Sequence, residues 1–258
     1  MESLLYRLED GVAKITLNRP TVYNSFNREM ALGLQDYLKS CEKDSEVRAI
    51  YLTGAGKAFC AGQDLQEVID PEGPHLTSIV SQHYNPIIEL LREIEKPIIA
   101  AVNGAAAGAG ANIALACDIV IATESAYFMQ AFSKIGLIPD SGGTFFLPRI
   151  IGFQRAAALM MLAEKVSAKE AAQMGMIYKS VPDDEFETFT MGIATKLAKM
   201  PTRGLGLTKR ALNYSLTNDL TTQLGIEEQL QTSAGNTHDY QEGVQAFLEK
   251  RKPQFKGE

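Results

Sequence analysis

The sequence predicts an α/β fold that gives way to helices towards its C-terminus, and three observations carry this. Apolar runs of strand character alternate with segments of helical period, recurring at roughly forty to fifty residues as stacked α/β units do. Strand patterning nearly vanishes after Ser141, where helical spacing takes over. The composition, 45% hydrophobic and 22% charged over 258 residues, is that of a chain able to bury a substantial core.

Residues 4–7 and 12–17 are alternating runs on either side of the turn dipeptide Asp10-Gly11 and predict a hairpin. Asn27 is placed to cap a helix in which Met30, Leu34, Tyr37, Leu38 and Cys41 keep the helical period. Residues 47–52 read as a buried strand ending at Thr53-Gly54-Ala55-Gly56, and residues 79–94 have helical spacing through Ile87, Leu90, Leu91 and Ile94. Residues 97–102 form a second continuous apolar strand, stopped by Asn103-Gly104. A helix of small residues is expected over 108–116 and another strand over 118–122. Beyond Ser141 the one strand signal is 177–181, whereas 156–162, 167–174, 185–199, 203–216 and 240–250 read as helices. The expected organisation is an α/β core, residues 1–200, and a helical segment, residues 201–258, divided near Met200-Pro201.

Several classes of function are disfavoured. A formal charge of −6 argues against a nucleic-acid or anionic-membrane surface as the main partner. No stretch reaches the roughly 18 apolar residues of a membrane span. The start, Met1-Glu2-Ser3, is acidic and leads straight into a strand pattern, so no secretory leader and a cytoplasmic location are expected. Cys41, Cys60 and Cys117 are odd in number and far apart, which suits buried thiols rather than disulfides or a metal cluster. His75, His83 and His238 also lack metal-ligand spacing.

Two glycine-rich stretches invite a phosphate-binding reading and fail it. Gly54-Ala55-Gly56-Lys57-Ala58 has neither the earlier glycine nor the following Ser or Thr of a Walker loop. Gly108-Ala109-Gly110 opens a helix after a strand, but the third glycine position of a dinucleotide fingerprint is Ile113. Small residues at a helix N-terminus let a ligand approach free N–H groups, which suit a developing oxyanion as well as phosphate. Equally, residues 105–111 can be small because helix and sheet pack closely. Phe59-Cys60-Ala61-Gly62-Gln63-Asp64-Leu65, on its own, is a loop with a glycine.

Together, however, these stretches resemble the enoyl-CoA hydratase/isomerase, or crotonase, superfamily. Gly56-Lys57-Ala58-Phe59-Cys60-Ala61-Gly62-Gln63-Asp64-Leu65 is similar to its first oxyanion-hole segment. Pro97-Ile98-Ile99-Ala100-Ala101-Val102-Asn103-Gly104, running into Ala107-Gly108-Ala109-Gly110, is similar to its second. The pattern continues through Ala114-Leu115-Ala116-Cys117-Asp118, Gly136-Leu137-Ile138-Pro139-Asp140-Ser141-Gly142-Gly143-Thr144 and Ala171-Ala172-Gln173-Met174-Gly175-Met176-Ile177. Leu17-Asn18-Arg19-Pro20 and Asn24-Ser25-Phe26 fit as well, so the resemblance covers the whole chain. Residues 131–143, Gly204-Leu205-Gly206-Leu207, Asp239-Tyr240-Gln241-Glu242-Gly243-Val244 and Pro253-Gln254-Phe255 look most like the branch that isomerises ring-1,2-epoxyphenylacetyl-CoA.

The resemblance implies an α/β spiral of ββα units, trimers or dimers of trimers, an acyl-CoA thioester substrate, and no metal or redox cofactor. It makes the backbone N–H groups of Gln63 and Ala109 the oxyanion donors. The two glutamates with which hydratases add water are absent: Asn112 and Phe132 stand in their places. Asp140 occupies the position of the single aspartate of isomerase branches, where one carboxylate can take a proton from one carbon and return it to another. Its structural alternative is an N-cap for a helix starting at Ser141-Gly142-Gly143. For Asn112, orienting the substrate and plain packing both stay open. Contacts to CoA are implied for backbone near Val22, Asn24, Ala61, Gly62, Asp64, Leu65 and Gly108, with Phe247, Lys250 and Arg251 able to reach a neighbour's CoA. The expected reaction is isomerisation of an unsaturated or epoxidised acyl-CoA. A broad Δ3,Δ2-enoyl-CoA isomerase, a hydratase and a non-catalytic CoA-binding subunit are the alternatives.

Overall fold

A computed structural model describes residues 2–258. The chain opens with the hairpin β1 (Leu4–Glu9) and β2 (Val12–Leu17), whose turn residues Asp10 and Gly11 both take positive φ, 49° and 75°. Two positive φ values in a two-residue turn match the right-handed twist of the flanking strands. Asn27 accepts a hydrogen bond from the Met30 N–H and starts α1 (Arg28–Lys43), whose buried stripe includes Met30, Leu34, Leu38 and Cys41.

The chain then runs strand, strand, helix three times. β3 (Ala49–Gly54) and β4 (Ala58–Cys60) lead into α2 (Leu65–Ile69), α3 (Leu76–Ser78), a π-helical stretch Ile79–Tyr84, and α4 (Asn85–Glu93). β5 (Ile98–Val102) and β6 (Ala105–Ala107) lead into α5 (Ala109–Ala116). β7 (Ile119–Thr123) and β8 (Tyr127–Met129) lead through a 3-10 turn, Ala131–Ile135, to α6 (Gly143–Ile151). In each round the first strand joins a six-stranded sheet, order β1-β2-β3-β5-β7-β10, and the second joins a four-stranded sheet, order β4-β6-β8-β9. Successive rounds pair in parallel, so the chain climbs as a spiral of ββα units. The remaining elements are α7 (Phe153–Leu162), β9 (Lys165–Ser167), α8 (Ala168–Gln173), β10 (Lys179–Val181), α9 (Phe186–Ala198), α10 (Thr202–Ser215), α11 (Leu220–Gly235) and α12 (His238–Leu248).

The strands of the large sheet read as continuous apolar runs because both of their faces are covered. Ile50, Leu52, Ile98, Ala100 and Val102 face the main core with α1, α4 and α5. Their neighbours Ala49, Tyr51, Ile99 and Ala101 face a second core closed by α9, through Phe186, Ala194 and Ala198. The Tyr51 hydroxyl meets Thr190 Oγ1 of α9 at 2.9 Å in that interior. α10 is tied to the core by charge. Asp118 pairs with Arg92 (3.1 Å) and with the buried Lys209 (2.9 Å), and also accepts the Ile98 N–H.

The structure departs from the sequence reading in several places, beginning with the short helices α2 and α3 in a stretch read as loop. The three-residue strands β4, β6, β8 and β9, one of them beyond Ser141, are too short to show an alternation. α6 also lies past Ser141 and was not expected from period alone; it carries Pro148 inside it. α11 has no fully buried residue, so it has no apolar stripe to read. The segment expected as one helix over 79–94 is π-helical for its first six residues.

α5 approaches β4 so closely at Gly110 that an added Cβ would lie 2.5 Å from the Cys60 carbonyl oxygen and 2.6 Å from Cys60 Cβ. Gly110→Ala is therefore expected to destabilise the fold by about 1–3 kcal/mol through overpacking, measured by urea unfolding. An unchanged midpoint would show that α5 can slide away from β4 at no cost.

Candidate active site

The site begins with a single backbone bridge. Phe26 donates its N–H to the Gly62 carbonyl (2.7 Å) and accepts the Asp64 N–H (2.8 Å), forming a parallel bridge opposite Gln63. A residue held between two such bonds turns its own N–H to the other side. Gln63 thus aims its N–H away from Phe26, and Gly62 (φ 96°) supplies the left-handed step that makes the turn possible. Across from it, Gly108 caps α5 without a side chain, leaving Ala109 with the first N–H of the helix. A Cβ on Gly62 would sit 3.5 Å from the Ala109 nitrogen, so the two segments touch backbone to backbone. Among the described residues neither the Gln63 nor the Ala109 N–H has an acceptor. Of the two readings of these small residues, close packing is seen at Gly110, against Cys60, and Gly62 and Gly108 leave the two free N–H groups unscreened by side chains.

The Gln63 side chain is fully engaged elsewhere. Its Oε1 accepts the Tyr84 hydroxyl (2.7 Å), and its Nε2 donates to Glu67 (2.9 Å), which also accepts the Arg28 N–H (2.8 Å). Burial, and then the neighbouring Cys60, Asp140 and Glu67, push the Tyr84 hydroxyl well above its ordinary range, so it stays a proton donor to Gln63. The backbone N–H of Gln63 is left as the group without a partner among the described residues.

Asp140 lies in a turn whose central residues, Ser141 and Gly142, have φ of 51° and 71° and whose Gly143 N–H returns to the Asp140 carbonyl (2.9 Å). α6 starts at Gly143 with Gly142 as its cap and receives no side-chain capping bond, so the Asp140 carboxylate is not spent as an N-cap. Burial pushes that carboxyl above the usual aspartate range, opposed by the Ser141 hydroxyl donating to it at 2.9 Å. Phe132 is buried over Gly108, its Cζ 3.9 Å from where a Cβ would stand. Asn112, also buried, donates to the Asp140 carbonyl (2.9 Å). Gln63, Gly62, Gly108, Ala109, Asn112, Phe132 and Asp140 thus form one connected set.

The residues expected near CoA divide. Val22, Ala61 and Leu65 are exposed around the mouth of the Gly62 loop. Asn24 is buried and its side chain is committed, accepting the Arg19 N–H and donating to the Ala55 and Ala58 carbonyls. The Asp64 carboxylate caps α2 and pairs with Arg19 at 2.8 Å, so any contact from Asn24 or Asp64 to a ligand falls to backbone. Phe247, on α12, and Lys250, just beyond it, are exposed on the C-terminal hairpin, where α12 packs on α11. A groove of about 550 Å³ lined by Gly204, Ala234, Tyr240, Val244, Phe247 and Phe255 lies there, apart from Asp140. Sequence reasoning passed over Tyr84, Glu67 and Gln130. Only Gln130 left a trace, as a lone polar side chain directly after the strand residues Tyr127-Phe128-Met129. The three cysteines are free and buried, as their spacing suggested.

Residues 7–258 match the family model described as enoyl-CoA hydratase/isomerase. A 1,2-epoxyphenylacetyl-CoA isomerase of Escherichia coli (strain K12) is 51% identical over 100% of this chain and 99% of its own. A probable enoyl-CoA hydratase of Rhodobacter capsulatus is 47% identical over 99% and 98%. The crystal structure of a putative enoyl-CoA hydratase/isomerase from Mycobacterium abscessus shares the fold with a TM-score of 0.92, at 37% identity over 98% of both chains. Similarity of this extent, end to end in sequence and in backbone, places the chain in the enoyl-CoA hydratase/isomerase (crotonase) family of enzymes.

Proposed function

We propose that the protein is an acyl-CoA isomerase in which Asp140 alone moves the proton. One observation carries the reading: a half-buried carboxylate, free of capping duty, is joined through Asn112 to the helix that presents the Ala109 N–H. The two residues at the hydratase glutamate positions, an amide and a phenyl ring, can neither give nor take a proton.

In this mechanism the thioester carbonyl oxygen accepts hydrogen bonds from Gln63 and Ala109. Asp140 removes a proton beside the carbonyl, and the C–H electron pair is taken up as the enolate that the two N–H groups stabilise. For a β,γ-unsaturated chain the pair spreads to the γ-carbon, where Asp140 returns the same proton and the double bond ends at α,β. No electrons are gained or lost, so the reaction calls for no redox cofactor, and in this mechanism the two N–H groups take the place of a Lewis-acid metal at the oxyanion. The E. coli relative supports a ring-1,2-epoxyphenylacetyl-CoA substrate rearranged to an oxepin, again with all atoms conserved. The apolar side chains exposed on the C-terminal helices, Phe247, Leu248 and Tyr240 among them, support self-association, and the family resemblance is what points to trimers or pairs of trimers. Cytoplasmic thioester metabolism is the proposed setting.

Asp140→Asn should lower turnover of a β,γ-enoyl-CoA and of epoxyphenylacetyl-CoA by about 10²–10⁴-fold, the usual contribution of a positioned acid/base. The wild-type kcat/KM profile should lose activity towards acid pH at a midpoint above the ordinary aspartate pKa of about 3.9, because burial favours the protonated form. Equal turnover by the two proteins removes Asp140 from the mechanism, and hydration of an α,β-enoyl-CoA as the sole activity removes isomerisation.

The same burial has a consequence for stability. A carboxyl whose folded pKa is raised contributes fully below its unfolded pKa, and that contribution is lost as pH rises through the folded value. At neutral pH the Asp140 charge therefore costs stability, and Asp140→Asn should raise Tm at pH 7 with the gain shrinking towards pH 3. A variant that melts lower than wild type at pH 7 would show that the carboxylate is well solvated or paired.

A further inference from the structure

Asn112 and Gln130 form a chain of amides that ends on the backbone of Asp140. Asn112 Nδ2 donates to the Asp140 carbonyl (2.9 Å), and Gln130 Nε2 donates to Asn112 Oδ1 (2.8 Å). The direction of each amide is dictated by chemistry. A carbonyl only accepts, so Asn112 must turn its NH₂ to Asp140, and its oxygen then requires a donor, which Gln130 supplies. Both side chains are buried, at 1% and 2% exposure, so water is a poor substitute for either.

What this chain connects is more telling than its burial. Asn112 stands one turn after Ala109 on α5, whose first N–H is an oxyanion donor. Gln130 follows Met129, whose carbonyl accepts the Gly108 N–H and so fixes the residue before that donor. The far end grips a turn in which Ser141, a residue with a side chain, holds a left-handed φ of 51°. Such a conformation persists where surrounding contacts over-determine it. Two of them are the Gly143 and Asn112 donors converging on the Asp140 oxygen, and the Asn112 amide is wedged so closely that a Cβ on Gly143 would strike it. Gln130 also carries a buried Oε1 with no partner among the described residues, a cost that the fold bears while the Nε2 end is engaged.

We infer that Asn112 and Gln130 are positioning residues that set Asp140 against the oxyanion donors. The inference rests on the proton-transfer role of Asp140 proposed above. It accounts for an amide at position 112: a carboxylate there would turn lone pairs towards the Asp140 carbonyl, whereas an amide donates to it. On this view the residue at the hydratase glutamate position is not an empty place but a bracket, and it touches no substrate.

The test compares Asn112→Leu, which keeps the branched shape but loses both hydrogen bonds, with Gln130→Met, which acts one step further away. Asp140→Asn is run alongside, with Tm recorded for each. In folded variants kcat should fall about 10- to 100-fold, the scale of a small misplacement of a reacting group, with KM within about twofold of wild type. The acid limb of the kcat profile should move to lower pH, because a loosened turn admits water to the carboxyl. Turnover at the wild-type rate in both folded variants, while Asp140→Asn is inactive, would overturn the inference and leave the isomerase reading intact. A loss expressed in KM alone would overturn it too, by making Asn112 a substrate contact. Should Asn112→Leu not fold, Gln130→Met decides by the same readings. An Asp140→Asn enzyme as active as wild type would remove the isomerase reading and this inference with it.

Discussion

The constraint on which the site depends is the backbone contact between the Gly62 loop and the start of α5. Two N–H groups can converge on one oxygen only if the chains that carry them come within a few ångströms, and a side chain between them would hold them apart. Gly62, Gly108 and Gly110 keep that space clear, each in its own way: a left-handed step, an unhindered cap, and a helix seated against Cys60. The spiral supplies the rest. β4 and β6 are parallel neighbours in the small sheet, so the loop after one and the helix after the other start from the same edge. The large sheet, buried on both faces, backs that edge through the packing of β4 on β3 and β5.

Around this contact the protein spends its polar groups on geometry rather than on reactivity. Gln63, Tyr84, Glu67, Asn24, Arg19 and Asp64 bond to one another or to nearby backbone, and each bond steadies a segment that presents a main-chain donor. One carboxylate, Asp140, is left for the proposed proton transfer. Asp140 is held where burial favours its neutral form, which makes the charged form a stronger base. With Asn112 and Phe132 in place of further acids, the proposed mechanism has a single proton carrier.

Much of the fold was legible because the large sheet and its helices have long, regular patterns. The hairpin at Asp10-Gly11, the Asn27 cap and the buried strand of residues 98–102 announce themselves through turn chemistry, capping and apolar runs. The small sheet was not legible, since three residues cannot display an alternation, and α11 was not because it buries no stripe. For the site, resemblance to a known family supplied the roles of Gln63, Ala109 and Asp140, and residue chemistry could only leave them open. The long-range bonds were invisible: nothing local ties Tyr84 to Gln63 or Gln130 to Asn112, because those pairs are made by the spiral and not by sequence spacing.

The π-helical stretch Ile79–Tyr84 has a consequence that belongs to helix phase. Each residue of an α-helix advances the side chains by about 100°, and a π-turn delays that advance by widening one turn. Here the delay lets Ile79, His83 and Tyr84 all point inward while α4 still seats Ile87 and Leu91 in the core. The azimuth of the Tyr84 hydroxyl is thus geared to the packing of α4 in the core. A change of one residue in the length of this segment would act as a rotation, and the protein would have to choose between its core and its hold on Gln63.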